Sequence, residues 1–237
     1  MTEIIQLERS IIPACDMTES EDFIRLVRET HDISGIGGYK IGAALVITYG
    51  LPNLVKTVQE FGDLPVIYDH QKAMTDIPDT GTSIVKAVKN AGASALIGFP
   101  ESGPSTQEAW IKACQDAGLN IIGGGEMTHP RYKRSEGGYI ADEGLDEMYL
   151  FAARLGVTNF VVPGNKAERV QHYRELLGPV VGDNLVLYAP GFVAQGGVIT
   201  ETGKAAGRRF HAIVGRGIYG AQDIRAAAQE MTSQLFR

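Results

Sequence analysis

Short apolar runs recur along the chain at positions 11–15, 38–41, 65–68, 95–98, 120–123, 159–162, 185–188 and 212–215. They are rich in Ile, Val, Leu and Tyr with little polar alternation, the pattern of strands covered on both faces. Between them, the stretches 21–29, 54–61, 83–90, 106–117, 144–155, 167–177 and 221–235 carry apolar residues at helical spacing. Strand and helix alternate almost without a break, which predicts a parallel sheet covered by helices. Eight such repeats favour closure into a (β/α)8 TIM barrel over an open, doubly wound α/β sheet. No linker or low-complexity segment interrupts positions 1–237, and that length is ordinary for one barrel domain. The pieces Gly35-Ile36-Gly37-Gly38 and Gly123-Gly124-Gly125 fall at strand edges, where tight turns account for them.

Composition narrows the partners more than the fold. The formal charge is −6 with acids and bases interspersed, so the chain has no basic stripe of the kind that grips nucleic acid. Its two cysteines, Cys15 and Cys114, are too few and too far apart for a disulfide framework or a zinc cluster, and read as buried structural thiols. Positions 1–9 lack the apolar core of a secretory signal, and no segment approaches the roughly 20 apolar residues that span a bilayer. A cytoplasmic protein with no membrane partner is expected.

The barrel reading makes a demand, because chemistry in such folds collects at the carboxyl ends of the strands. Asp16 follows the first strand, Lys40 lies on the second, and Asp69 and Lys72 follow the third. Glu126-Met127-Thr128-His129-Pro130 follows the fifth. The stretch from Tyr68 to Pro78 is the densest of these, with Asp69, Lys72 and Asp76 inside eight residues directly after an apolar run. Opposed charges so placed hold one another ionised and can move a proton. After the seventh and eighth strands come Pro190-Gly191 to Gln195-Gly196-Gly197 and Gly215-Arg216-Gly217-Ile218-Tyr219. Loops at these places often cradle phosphate, with glycines allowing close backbone approach, Arg216 supplying a charged fork and Gln195 a further donor. Gly-rich turns beside a solvent-facing arginine would explain the same residues more blandly. The phosphate loop of nucleotide triphosphatases, G-x-x-x-x-G-K-[ST], does not occur.

As an ordered set, Tyr39-Lys40-Ile41-Gly42, the Asp69…Lys72…Asp76-Ile77-Pro78 cluster, Glu126-Met127-Thr128-His129-Pro130, Pro190-Gly191…Gln195-Gly196-Gly197 and Gly215-Arg216…Ile218-Tyr219 resemble the motifs of the orotidine 5′-monophosphate decarboxylase family. The resemblance runs from Asp16 to Tyr219. It implies a (β/α)8 homodimer with shared active sites that converts orotidine 5′-monophosphate to uridine 5′-monophosphate and carbon dioxide, in de novo pyrimidine synthesis, without metal or organic cofactor. Carried over residue by residue, it sets Asp69 beside the substrate carboxylate and makes Lys72 the donor that protonates C6. Lys40 and Asp76 complete an alternating charge chain, with Asp76 and then Thr80 reaching the neighbouring subunit's site. Asp16 and Lys40 contact the ribose hydroxyls and Thr128 stands where the family usually has a pyrimidine-binding serine. Gln195, Gly215 and Arg216 hold the phosphate, with Pro190 and Gly196 in the same loops, and His129 is left with a structural hydrogen bond.

One spacing departs from the family pattern D-x-K-x-x-D: here it is Asp69-x-x-Lys72-x-x-x-Asp76. Residues three apart on a strand point to opposite faces, so convergence demands a bulge or an early end to the strand near His70-Gln71. Segments 131–138 and 192–202 read as candidate moving loops. Three other readings stay open: a magnesium-dependent sugar-phosphate decarboxylase or aldolase of the same superfamily, resembling 3-keto-L-gulonate 6-phosphate decarboxylase; a non-catalytic nucleotide-binding paralogue; and a Schiff-base aldolase using Lys72. Lys40, where a metal site would want an acid, argues against the first, and the carboxylates flanking Lys72 argue against the last.

Overall fold

All eight apolar runs are strands, displaced by no more than two residues from their expected positions. In the computed structural model, which describes residues 3–70, 73–192 and 197–236, they are β1 (Arg9–Cys15), β2 (Tyr39–Gly42), β3 (Val66–Asp69), β4 (Ala95–Gly98), β5 (Asn120–Gly123), β6 (Asn159–Val161), β7 (Val186–Pro190) and β8 (Phe210–Val214). Each pairs in parallel with the next, and β1 pairs with β8 in the register Arg9 to Phe210 through Pro13 to Val214. The sheet is therefore a closed barrel, and the open, doubly wound arrangement is set aside.

The expected helices are α1 (Ser20–Thr30), α3 (Leu51–Gln59), α4 (Thr80–Asn90), α5 (Pro104–Ala117), α6 (Asp142–Arg154), α7 (Ala167–Val181) and α10 (Ile224–Ser233). Three more were not foreseen: α2 (Ala43–Tyr49), α8 (Ile199–Ala206) and the single turn α9 (Arg216–Tyr219). None of the described helices is long and apolar enough to cross a membrane.

Side-chain alternation along the strands builds two cores. Ile12, Ala14, Ile67, Ile97, Ile122, Val161, Tyr188 and Ile213 point inward and fill the barrel. Their neighbours Ile11, Cys15, Ile41, Tyr68, Leu96, Ile121, Leu187 and Val214 point outward against the helices. Cys15 and Cys114 are both free and buried, and burial pushes the Cys114 thiol up to about 12, as expected of structural thiols.

The barrel floor is closed by Ile4 and Ile5, which pack into the inner core. Above them His211 is buried with Nδ1 2.8 Å from Ser10 Oγ and its ring 4.9 Å from that of Tyr188. Burial, with a smaller contribution from the Arg209 charge, lowers the His211 pKa to about 3, so this imidazole is neutral. Toward the other end Gly124 leaves no room for a side chain unless its neighbours shift: a Cβ there would stand 2.5 Å from Phe99 Cε2 and 2.7 Å from Val161 Cγ1.

Candidate active site

Lys40 sits mid-strand on β2 with its side chain inside the barrel, where an unpaired ammonium would be costly. It is not unpaired: Nζ donates to Asp69 Oδ2 at 2.6 Å and to Asp16 Oδ1 at 2.9 Å. Lys40 and Asp69 are 7% and 8% exposed, whereas the Asp16 side chain is nearly half exposed at the mouth. Burial alone would depress the Lys40 pKa. The charges of Asp69 and Asp16, with their hydrogen bonds, outweigh it and raise the pKa above the ordinary lysine value, so Lys40 is an ammonium across the physiological range. Asp16 can reach it because residue 42 is glycine: a Cβ at Gly42 would lie 2.6 Å from Asp16 Oδ1. Asp69 Oδ1 is buried with no hydrogen-bond partner among the described residues, an acceptor left open beside the Lys40 ammonium.

The early strand end demanded by the lengthened spacing is present. β3 stops at Asp69, and the chain turns at once, with His70 N donating to Tyr68 O and Ala73 N to His70 O at 2.7 Å. Met74 then takes φ +70°, rare for a residue with a long side chain, and packs against Gly98 of β4. Side-chain alternation has thus ended before position 72. Lys72 itself lies outside the described residues, as do Gln195 and Gly196.

A cavity of about 450 Å³ opens over this array, within the usual range for small-molecule sites. Asp16, Lys40, Thr128, Pro190, Gly215 and Arg216, all singled out in the sequence, line it. Phe99, Glu126, Met127, His129 and Tyr219 are among the other residues of the wall, and of these Phe99 had carried no signal: it reads as core and emerges at the mouth only because β4 ends one residue earlier. Arg216 is exposed and opens α9 directly after Gly215. Asp76 and Thr80 do not reach the cavity of their own chain. Asp76 is exposed, with Oδ1 accepting from Ile77 N, and Thr80 Oγ1 donates to Ile77 O at the start of α4. A larger cavity of about 650 Å³ lies at the floor end, but Asp63 is its single ionisable lining residue, so the chemistry points to the smaller one.

Glu126 was quoted in a motif but given no role, and the structure gives it a central one. Its side chain is fully buried beside the cavity. Arg169 Nε and Tyr173 OH each donate to Oε2 at 2.7 Å, while Lys133 and Lys166 approach Oε1 at 3.2 and 3.3 Å. Burial pushes this carboxyl up, but the hydrogen bonds from Tyr173 and Arg169 and the charges of Arg169 and Lys133 prevail, and its pKa lies below the ordinary value. The segment 131–138, read from the sequence as a candidate moving loop, meets the same cluster through Lys133, which bridges to Glu126; a backbone bridge also joins Lys133 to Ile140, and Tyr132 OH donates to Gly125 O. The other expected loop ends early, since α8 begins at Ile199 and Thr202 Oγ1 donates to Gly164 O.

Fold and site define the class: a (β/α)8-barrel enzyme with a carboxylate–ammonium–carboxylate array, buried at Lys40 and Asp69 and open to the mouth at Asp16, at the carboxyl ends of its strands. Residues 9–231 match the Orotidine 5'-phosphate decarboxylase / HUMPS family, and the chain belongs to it. Orotidine 5'-phosphate decarboxylase of Methanosarcina mazei is 29% identical over 225 residues, covering 95% of this chain and 94% of that protein. The crystal structure of orotidine 5'-phosphate decarboxylase from Pyrococcus horikoshii is similar with a TM-score of 0.79 at 27% identity, over 96% of this chain and 99% of that one. That of orotidine 5'-monophosphate decarboxylase from Methanocaldococcus jannaschii, complexed with inhibitor BMP, reaches 0.84 over 97% and 99%; at 24% identity it speaks to the fold.

Proposed function

We propose that the protein decarboxylates orotidine 5′-monophosphate to uridine 5′-monophosphate in pyrimidine synthesis. The observation that carries this is Lys40, buried between Asp69 and Asp16 in a cavity that also presents Thr128 and Arg216. Loss of carbon dioxide from C6 leaves a carbanion with no adjacent carbonyl to delocalise it, so stabilisation must come from fixed charge and from binding energy realised elsewhere on the substrate. Asp69, with one oxygen held by Lys40 and the other without a partner among the described residues, suits a position beside the departing carboxylate. Lys72 is the proposed proton donor to C6. Asp16 and Lys40 are assigned to the ribose, Thr128 to the pyrimidine, and Gly215 and Arg216, with Pro190, Gln195 and Gly196 from the preceding loop, to the phosphate.

The family also takes in the HUMPS branch, and a magnesium-dependent sugar-phosphate lyase is the competing reading. Against it, the place between Asp16 and Asp69 where a cation would sit is filled by the Lys40 ammonium. The remaining proposals concern assembly: one barrel domain over 1–237, a cytoplasmic homodimer, and Asp76 and Thr80 contributing to the partner's site. Ile77, 60% exposed between those two residues, supports a partner covering this edge.

The test is the fall in orotate absorbance with orotidine 5′-monophosphate, with and without chelator. Turnover that survives the chelator is expected, with Lys72→Ala lowering kcat by about 10²–10⁴-fold, the usual worth of a positioned proton donor. No turnover by the unmodified protein sinks the proposal, and turnover abolished by the chelator favours the metal-dependent reading.

A further inference from the structure

The loop after β5 brings Thr128 to the cavity wall, and it is held at nearly every residue. Gly125 O accepts from Tyr132 OH at 2.6 Å, Glu126 N donates to Tyr149 OH at 3.3 Å, and Thr128 O accepts from Asn165 Nδ2 at 3.2 Å. The anchor is the Glu126 carboxylate. Its partners come from two other parts of the chain: Lys133 from the segment after the loop, and Lys166, Arg169 and Tyr173 from the start of α7 and the loop before it. Lys133 and Lys166 each bridge onward to Glu136 at 3.4 and 3.3 Å, so the tie is a network and not a single pair. Both Glu126 oxygens are occupied, which removes it as a proton carrier. A buried carboxylate that loses one such partner is left under-compensated, and the backbone carrying it shifts to recover solvent or another donor.

We propose that Glu126 is a positioning residue: by locking the Thr128 loop to α7 and to the 131–141 segment it sets how tightly the site grips the base of its ligand, acting through Thr128 because both of its own carboxylate oxygens are held by other side chains. Asn165 and Lys166 are the accessory ties from the β6–α7 side. This inference rests on the assignment of Thr128 to the pyrimidine, and it separates base recognition from phosphate recognition, because Arg216 lies across the cavity on α9 and has no link to the Glu126 network among the described contacts.

The experiment compares inhibition constants for uridine 5′-monophosphate and for ribose 5-phosphate, which lacks the base, in the unmodified protein and in Glu126→Gln, Lys166→Met, Asn165→Ala and the charge-conserving Glu126→Asp. Expected is an about tenfold weakening of uridine 5′-monophosphate in Glu126→Gln, the scale of one lost charge-assisted hydrogen bond, with ribose 5-phosphate unchanged. KM for orotidine 5′-monophosphate should rise more than kcat falls, and Glu126→Asp should recover part of the loss. Equal weakening of both ligands, or no change in either, overturns the inference. Should Glu126→Gln fail to fold, Lys166→Met and Asn165→Ala, each removing one tie, decide by the same comparison. Should the unmodified protein bind uridine 5′-monophosphate without turning over its precursor, the proposed activity falls, while the dissociation constants of the two ligands, taken by calorimetry on the same variants, still report on the loop.

Discussion

At the scale of single residues, the barrel mouth is governed by what buried charge requires. Lys40 is tolerable inside the barrel because two carboxylates meet it, and Asp69 is tolerable because Lys40 does. Lys40→Met should therefore cost stability and activity together. A loss of about 3 kcal/mol is expected from urea denaturation, since removing one member of a buried pair strands the other, and an orotidine 5′-monophosphate assay should show a fall of two orders of magnitude or more. Unchanged stability would mean that Asp69 has found another cation. The clustering of Asp16, Lys40 and Asp69 at one rim was legible because charge inside or directly after an apolar run has few bland explanations. The cluster around Glu126 was not: its partners stand up to 47 positions away on separate elements, and only the fold brings them to it.

At the scale of elements, sequence patterning succeeded where burial is two-sided and failed where it is slight. Strands buried on both faces stand out as uniform apolar runs. The helix α2, by contrast, is apolar and rich in β-branched residues with only Leu45 buried, so its composition argues for a strand while its position on the rim leaves Ile47 exposed. The one-turn α9 is too short to show any period. Close packing between elements also escaped the pattern, and Gly124 is the clearest case. Gly124→Ala would drive a methyl into Phe99 and Val161 at the top of the inner core, and a destabilisation of about 1–3 kcal/mol is expected from overpacking. Because Phe99 lines the cavity, the same variant should perturb ligand affinity, readable by titration with uridine 5′-monophosphate; a neutral result in both measurements would show that the barrel yields there.

At the scale of the whole molecule, stability should depend on pH through a residue far from the chemistry. His211 has a folded-state pKa of about 3 against an ordinary value of 6.5, so between those limits the unfolded chain binds a proton that the folded chain refuses. Stability from this group is complete above the unfolded pKa and falls as pH drops toward 3, by at most about 1.4 kcal/mol per pH unit. Half-buried His70, whose pKa is also depressed, chiefly by burial, acts with the same sign. Denaturant midpoints at pH 7 and pH 5 should therefore differ, and His211→Asn should shrink the difference; an equal slope would show that the buried imidazole is not its source. Closure of the ring has a further consequence, for synthesis. Ser10 meets His211 across 201 positions, and β1 has no partner on its outer side until β8 exists. A ribosome that has made seven strands has made an open sheet with two bare edges, each a template for pairing with other chains. Protection from such association arrives with positions 210–214, so the last strand to leave the ribosome is the one that ends the nascent chain's exposure.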